Sequence, residues 1–203
     1  MHHLNRESYA KIAPEWSKAR SGFFGHEQEY LDRLLETTSI GDAVLDLGCG
    51  TGRPMAEYVV SRGRRVIGID QSEPMLDLAK ASFPAEKWIL GRMEDYTLED
   101  IYGAAMVWDS LFHIPRAEHE PILRRVVCSL PVGGRLMLTI GGSAHPPFTD
   151  FMFGERFFYD SNTPAETERM LQALGCRIVL GQFMNLPEGG REKGRYAYVV
   201  EKR

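Results

Sequence analysis

Two acids and three glycines carry the chemistry that this sequence offers most openly. Asp46 lies inside VLDLGCGTG (Val44 to Gly52), where Gly48, Gly50 and Gly52 come at every second position, and Asp70 closes the later run RVIGID. Glycines at a strand-to-helix turn allow positive φ and let a ligand approach main-chain N–H groups that a Cβ would shield. Asp46, at the strand end, attracts an ammonium group and repels a pyrophosphate. Asp70 follows it by 24 residues, about one helix plus one strand, so both acids emerge at one edge of a parallel sheet. A carboxylate there accepts two charge-assisted hydrogen bonds from ribose hydroxyls. The set suits a zwitterionic nucleoside. A dinucleotide suits it less, because the pattern G-x-G-x-x-G needs its third glycine one residue later, where Arg53 stands.

VLDLGCGTG resembles the first motif of the class I S-adenosylmethionine (SAM)-dependent methyltransferases, small-molecule type. LPVGGRLMLTI (Leu130 to Ile140) is similar to the family's helix, turn and strand at that place, so the resemblance covers residues 43 to 140. It implies an enzyme that passes a methyl group from SAM to an oxygen or nitrogen of a small molecule and releases S-adenosylhomocysteine. It implies that Asp46, Gly48, Cys49, Gly50, Gly52, Asp70 and Gln71 bind the cofactor. Met75 packs on the adenine or belongs to the core. The loop Gly91 to Tyr96 is where similar enzymes hold the adenine, usually through an acid soon after the strand. Arg92 stands at that place, leaving Glu94, Asp95 or the main chain of Met93 for the task. The segment Trp108 to His113 would face the sulfonium and the acceptor, with Trp108 and Asp109 on the cofactor side. His113 is the candidate general base, since an unperturbed imidazole titrates near neutrality; a histidine that only positions the loop is the competing reading.

Positioning these residues requires an alternation of strands and helices. Short apolar runs at Ala43 to Leu47, Arg65 to Asp70, Lys87 to Leu90, Ala104 to Asp109 and Arg135 to Ile140 read as buried parallel strands. Helices are expected over Arg53 to Arg62, from Ser72 and Pro74 onward, over Arg116 to Leu130, and from Thr163 and Pro164 to Gly175. Cys176 to Leu180 and Arg195 to Val200 read as two closing antiparallel strands. The expected fold is α/β: a doubly wound, seven-stranded, mostly parallel Rossmann-like sheet with an antiparallel C-terminal strand, helices on both faces and a helical cap. One domain fills residues 1–203, with the cap over 1–40 and a substrate loop over 141–162.

The cap reads as two helices, one around Ser8 to Ala13 and one from Glu27 to Glu36. Tyr9, Ile12 and Trp16 either cover a sheet edge or line a lid that excludes water. The stretch Gly141 to Asn162 reads as an aromatic loop that is either an acceptor pocket or core under a long loop. Tyr9, Trp16, His113, His145, Phe148 and Tyr159 are the candidate acceptor contacts. Arg191, Lys193 and Arg195 read as solvated turn charges rather than an anion site.

Composition narrows the function classes. The chain has 203 residues, 43% hydrophobic and 26% charged, which is the size and balance of one globular domain. A net charge of −4 gives no general attraction to nucleic acid. Three separated cysteines, Cys49, Cys128 and Cys176, have no metal-type spacing and point to a reduced, cytoplasmic setting. No metal, membrane or nucleic-acid partner is expected, and the protein acts as a monomer or homodimer. Two other classes are an NAD-dependent oxidoreductase and a SAM-binding sensor without turnover.

Overall fold

The computed structural model describes residues 3–98, 100–189 and 192–203. Two helices come first, α1 (Leu4–Ala19) and α2 (Glu27–Leu35). Alternation then begins with β1 (Ala43–Leu47), α3 (Met55–Ser61), β2 (Arg65–Asp70), α4 (Glu73–Ser82), β3 (Lys87–Leu90), β4 (Ala104–Val107), α5 (His119–Cys128) and β5 (Arg135–Gly141). After β5 come β6 (Phe148–Met152), β7 (Glu155–Tyr159), α6 (Pro164–Ala173), β8 (Cys176–Asn185) and β9 (Arg195–Lys202).

Seven strands form one sheet in the order β3-β2-β1-β4-β5-β9-β8, parallel except for β9, which runs antiparallel to both neighbours. The strands are buried on both faces because their alternate residues enter two cores. Leu45, Leu47, Leu136 and Leu138 meet Ile122, Leu123 and Val126 of α5 on one side; Val44, Val66 and Met137 meet Leu31 and Leu34 of α2 and Val59 of α3 on the other. Chain order reverses between β1 and β4, and a parallel sheet opens a crevice at the carboxyl ends of such a pair.

Two expectations change. The first cap helix is longer than its sequence suggested, running through Pro14 to Ala19. Pro14 sits on the exposed face of α1, and the helix continues past it although its nitrogen donates no hydrogen bond. The stretch read as an aromatic loop contains a β-hairpin, β6 paired with β7 from Phe148↔Tyr159 to Met152↔Glu155. Its two connecting residues, Phe153 (φ 50°) and Gly154 (φ 80°), both take the positive φ of a type I′ turn. Alternating burial along Phe148 to Met152 is the strand signal that the aromatic density obscured. The helix start at Thr163 is a full capping box with Glu166.

Candidate cofactor and acceptor site

The crevice outside β1, β2 and β4 is a cleft of about 860 Å³, counting the solvent at its mouth. Asp46 and Asp70 both line it. They share one rim because β1 and β2 are in parallel register, Asp46 beside Gly68. Asp70 is fixed from two sides, its Oδ2 accepting from Gly50 N at 2.9 Å and its Oδ1 from Ser72 N at 2.8 Å. Burial raises its pKa, and those backbone donors oppose the rise. Asp46 is different: it is buried and has no hydrogen-bond or ion-pair partner among the described residues. Burial, reinforced by the Asp70 charge, pushes its carboxyl up to about 7. An acid so placed is relieved by an incoming cation.

The glycine turn is a matter of shape more than of free donors. Gly48 N and Cys49 N both donate to Ile69 O, at 2.8 and 3.2 Å, Gly50 N is taken by Asp70, and Gly52 N donates to Cys49 O. The expected cradle of main-chain N–H groups is therefore spent on holding the turn itself. Gly48 (φ 77°) has no room for a side chain, since a Cβ would lie 2.3 Å from that of Ser110. Gly52 does not line the cleft; the space behind it is filled by Trp88 and Phe83.

Of the remaining cofactor candidates, Cys49, Gln71, Met75, Met93, Glu94, Trp108 and Asp109 line the cleft, and Met75 is also fully buried. Arg92 and Asp95 do not line it. Arg92 turns to Glu94 (2.7 Å) and Asp95 (3.2 Å), so the charges of the loop after β3 are paired locally. Arg125 holds that loop by donating to the carbonyls of Met93 and Glu94.

An ionic cluster closes the far end. Glu27 is completely buried and accepts from both terminal nitrogens of Arg20, from Phe24 N, from Trp108 Nε1 at 3.0 Å and from Arg195. Asp109, in the left-handed region at φ 50°, accepts from Arg195 at 2.8 Å and from Thr139 Oγ1. Burial raises the pKa of Asp109, with Arg195 and Arg20 opposing the rise. Arg195 is thus a structural cation rather than a solvated turn charge. Arg191 lies outside the described residues.

His113 is held on both ring nitrogens. Nδ1 faces the carbonyl of Phe158 at 3.0 Å and so carries the hydrogen, which leaves Nε2 to accept from the Tyr9 hydroxyl at 2.9 Å. Burial pulls its pKa down to about 4. The imidazole is neutral at pH 7, and its one lone pair is occupied.

The acceptor candidates divide between two spaces. Tyr9, Trp16 and His113 line the cleft. His145, Phe148 and Tyr159 line a second cavity of about 730 Å³, again counting the solvent at its mouth, beside the hairpin. Phe148 and Tyr159 stack at 5.2 Å, and the Tyr159 ring lies 4.8 Å from that of His113. The Asp109–Arg195 pair stands between the spaces, Asp109 in the wall of one and Arg195 in that of the other. Sequence reasoning missed Arg20, whose one trace is its place a helical turn beyond Trp16, and misread Arg195; Ser110 fell within the stretch Trp108 to His113 without being singled out.

Residues 44–134 match a family model described as a methyltransferase domain. Magnesium protoporphyrin IX methyltransferase from Synechocystis PCC 6803, solved with SAH bound, has the same fold over the full length of both chains, with a TM-score of 0.73 at 15% identity. Residues 44–134 are thus similar to a methyltransferase domain, and the chain as a whole shares the fold of solved methyltransferases. An uncharacterised methyltransferase of Mycobacterium tuberculosis is 36% identical over 111 residues, 54% of this chain and 43% of the relative. The 2-heptyl-1-hydroxyquinolin-4(1H)-one methyltransferase of Mycobacteroides abscessus is 28% identical over 152 residues, 70% and 66% of the two chains. The chain thus spans less than half the length of the former. Among its described residues, no group of three or more His, Cys, Asp or Glu could hold a metal, and no helix is long and apolar enough to cross a membrane.

Proposed function

We propose that this domain binds SAM in the cleft and transfers its methyl group to an oxygen or nitrogen of a small-molecule acceptor. The observation that carries the reading is Asp46, a buried carboxylate without a partner at the rim it shares with Asp70. The residues fit the cofactor. Asp46 receives the ammonium of an amino-acid tail, and Asp70, held in place by backbone donors that include Gly50 N and Ser72 N, offers its remaining acceptor capacity to a ribose hydroxyl. Met75, Met93 and Glu94 lie where an adenine would follow. SAM, when bound, supplies a methyl carbon activated by a positively charged sulfur.

The chain's share of the work is positioning and exclusion of water. Effective molarities from such positioning account for roughly 7–11 kcal/mol of barrier lowering. α1 and β7 together roof the reaction centre: Asn5 donates to the carbonyls of His113 and Phe158 and accepts from Phe158 N. Tyr9 lines the cleft and its hydroxyl is held by His113. A neutral His113 with no free lone pair is a poor base. That favours acceptors needing none: an amine bound neutral, or an oxygen already ionised as a phenolate or carboxylate. The stacked Phe148 and Tyr159 under the hairpin suit the flat apolar body of such an acceptor.

Calorimetric titration with SAM and with NAD, then incubation with SAM and pooled small molecules while monitoring S-adenosylhomocysteine, tests the reading. SAM binding and product with some acceptor are expected. Binding of NAD without SAM would indicate an oxidoreductase, and SAM binding without product from any acceptor a sensor.

A further inference from the structure

An amino-acid tail carries two charges, and the cleft has so far accounted for one. Asp46 receives the ammonium but repels the carboxylate, so donors must stand on the opposite side. The glycine turn does not supply them. Of its five N–H groups from Gly48 to Gly52, those of Gly48, Cys49, Gly50 and Gly52 are committed within the chain, and Thr51 does not line the cleft. Two arginines nearby are also engaged: Arg20 is gripped by Glu27 through both terminal nitrogens, and Arg53 leans on Glu57 and the Phe83 ring.

One donor is left. Trp16 of α1 lines the cleft, and its Nε1 lies 3.8 Å from where a Cβ on Gly50 would be. Its N–H has no hydrogen-bond partner among the described residues, whereas Trp108 Nε1 is bonded to Glu27 and Trp88 Nε1 to the carbonyl of Phe83. The Tyr9 ring meets Trp16 edge-on at 5.6 Å and fixes its plane. Resting on the SAM reading above, we propose that Trp16 is a cofactor-binding residue whose indole N–H receives the tail carboxylate over Gly50, opposite Asp46. The cap helix then completes the cofactor site instead of only covering the acceptor. Gly50 is glycine partly for this reason, since a side chain there would enter the space between indole and turn.

Trp16→Phe keeps the ring and removes the donor. Titration calorimetry compares wild type and variant with S-adenosylhomocysteine, and with 5′-methylthioadenosine, which has the nucleoside and sulfur but no amino-acid tail. The variant is expected to bind S-adenosylhomocysteine about 10- to 100-fold more weakly, the range of a hydrogen bond to a charged group, and methylthioadenosine within about twofold of wild type. Equal loss for both ligands, or no loss for either, overturns the proposal. In the wild-type protein, the ¹⁵N-labelled indole resonance of Trp16 should shift with S-adenosylhomocysteine and stay put with methylthioadenosine. A resonance unmoved by bound S-adenosylhomocysteine overturns the proposal even if the variant does not fold. Failure of the wild-type protein to bind S-adenosylhomocysteine at all would instead count against the SAM reading itself.

Discussion

Tyr9 of α1 donates its hydroxyl hydrogen to His113 Nε2 across 2.9 Å, joining the cap to the loop that follows β4. Because Nδ1 is simultaneously fixed on Phe158, the imidazole is locked in one neutral tautomer. Its pKa is held near 4, against 6.5 for the free side chain. The unfolded chain therefore binds the extra proton first as pH falls. This histidine's contribution to stability is complete above pH 6.5 and is lost as pH falls toward 4, on the order of 3 kcal/mol in all. Urea unfolding at several pH values should show that loss in wild type, and His113→Gln should flatten it. With the base role so weakened, the pH–rate profile should show no inflection near 6.5 that His113→Gln removes.

Asp46 titrates with the opposite sign. Folded, it keeps its proton up to about 7; unfolded, it loses it near 3.8. Stability from this group falls as pH rises through that window, and the full cost, on the order of a few kcal/mol, is present above it. Asp46→Asn should raise the apo melting temperature more at pH 8 than at pH 4, while weakening S-adenosylhomocysteine binding at least about tenfold. A variant that gains no stability and keeps its affinity would remove the role assigned to the acid.

Asp70→Asn replaces one of the two oxygens that hold Gly50 N and Ser72 N and weakens the expected grip on the ribose. The loss in affinity for S-adenosylhomocysteine should be about 10- to 100-fold. Calorimetry decides it, and unchanged affinity would mean that the sugar sits elsewhere.

Gly48→Ala and Gly50→Ala separate folding from binding. Both residues have positive φ, but only at Gly48 would the new Cβ strike Ser110, at 2.3 Å; at Gly50 its nearest neighbour is Trp16 Nε1 at 3.8 Å. Gly48→Ala should cost roughly 2–6 kcal/mol, backbone strain plus overpacking, and Gly50→Ala roughly 1–3 kcal/mol, strain alone. Urea melts read the difference. Gly50→Ala should stay folded yet bind S-adenosylhomocysteine poorly.

Glu27→Gln tests the buried cluster. The carboxylate receives Arg20, Arg195 and Trp108 with no exposure to water, so removing its charge leaves Arg20 without its counterion. A loss of about 3–5 kcal/mol in unfolding free energy is expected, larger than for exposed pairs such as Arg124–Glu120, which are worth about 1 kcal/mol or less.

What the sequence determined by itself is the frame and the rim. Runs such as Val44 to Leu47 and Arg135 to Ile140 fix buried strands, glycines at alternate positions fix the turn, and the distance from Asp46 to Asp70 fixes that both acids emerge at one edge. Each is a local or periodic signal, set by side-chain alternation and backbone freedom along the chain. What only the tertiary structure decided is which polar groups are already spoken for. The turn's N–H groups go to Ile69 and Asp70, the lone pair of His113 goes to Tyr9, and Arg195 goes to Asp109, 86 residues away. Hydrogen-bond commitment is a property of neighbours in space, brought together by folding from distant parts of the chain. A sequence names the donors and acceptors but not which remain free, and among the described residues Asp46 and Trp16 are two that line the cleft uncommitted.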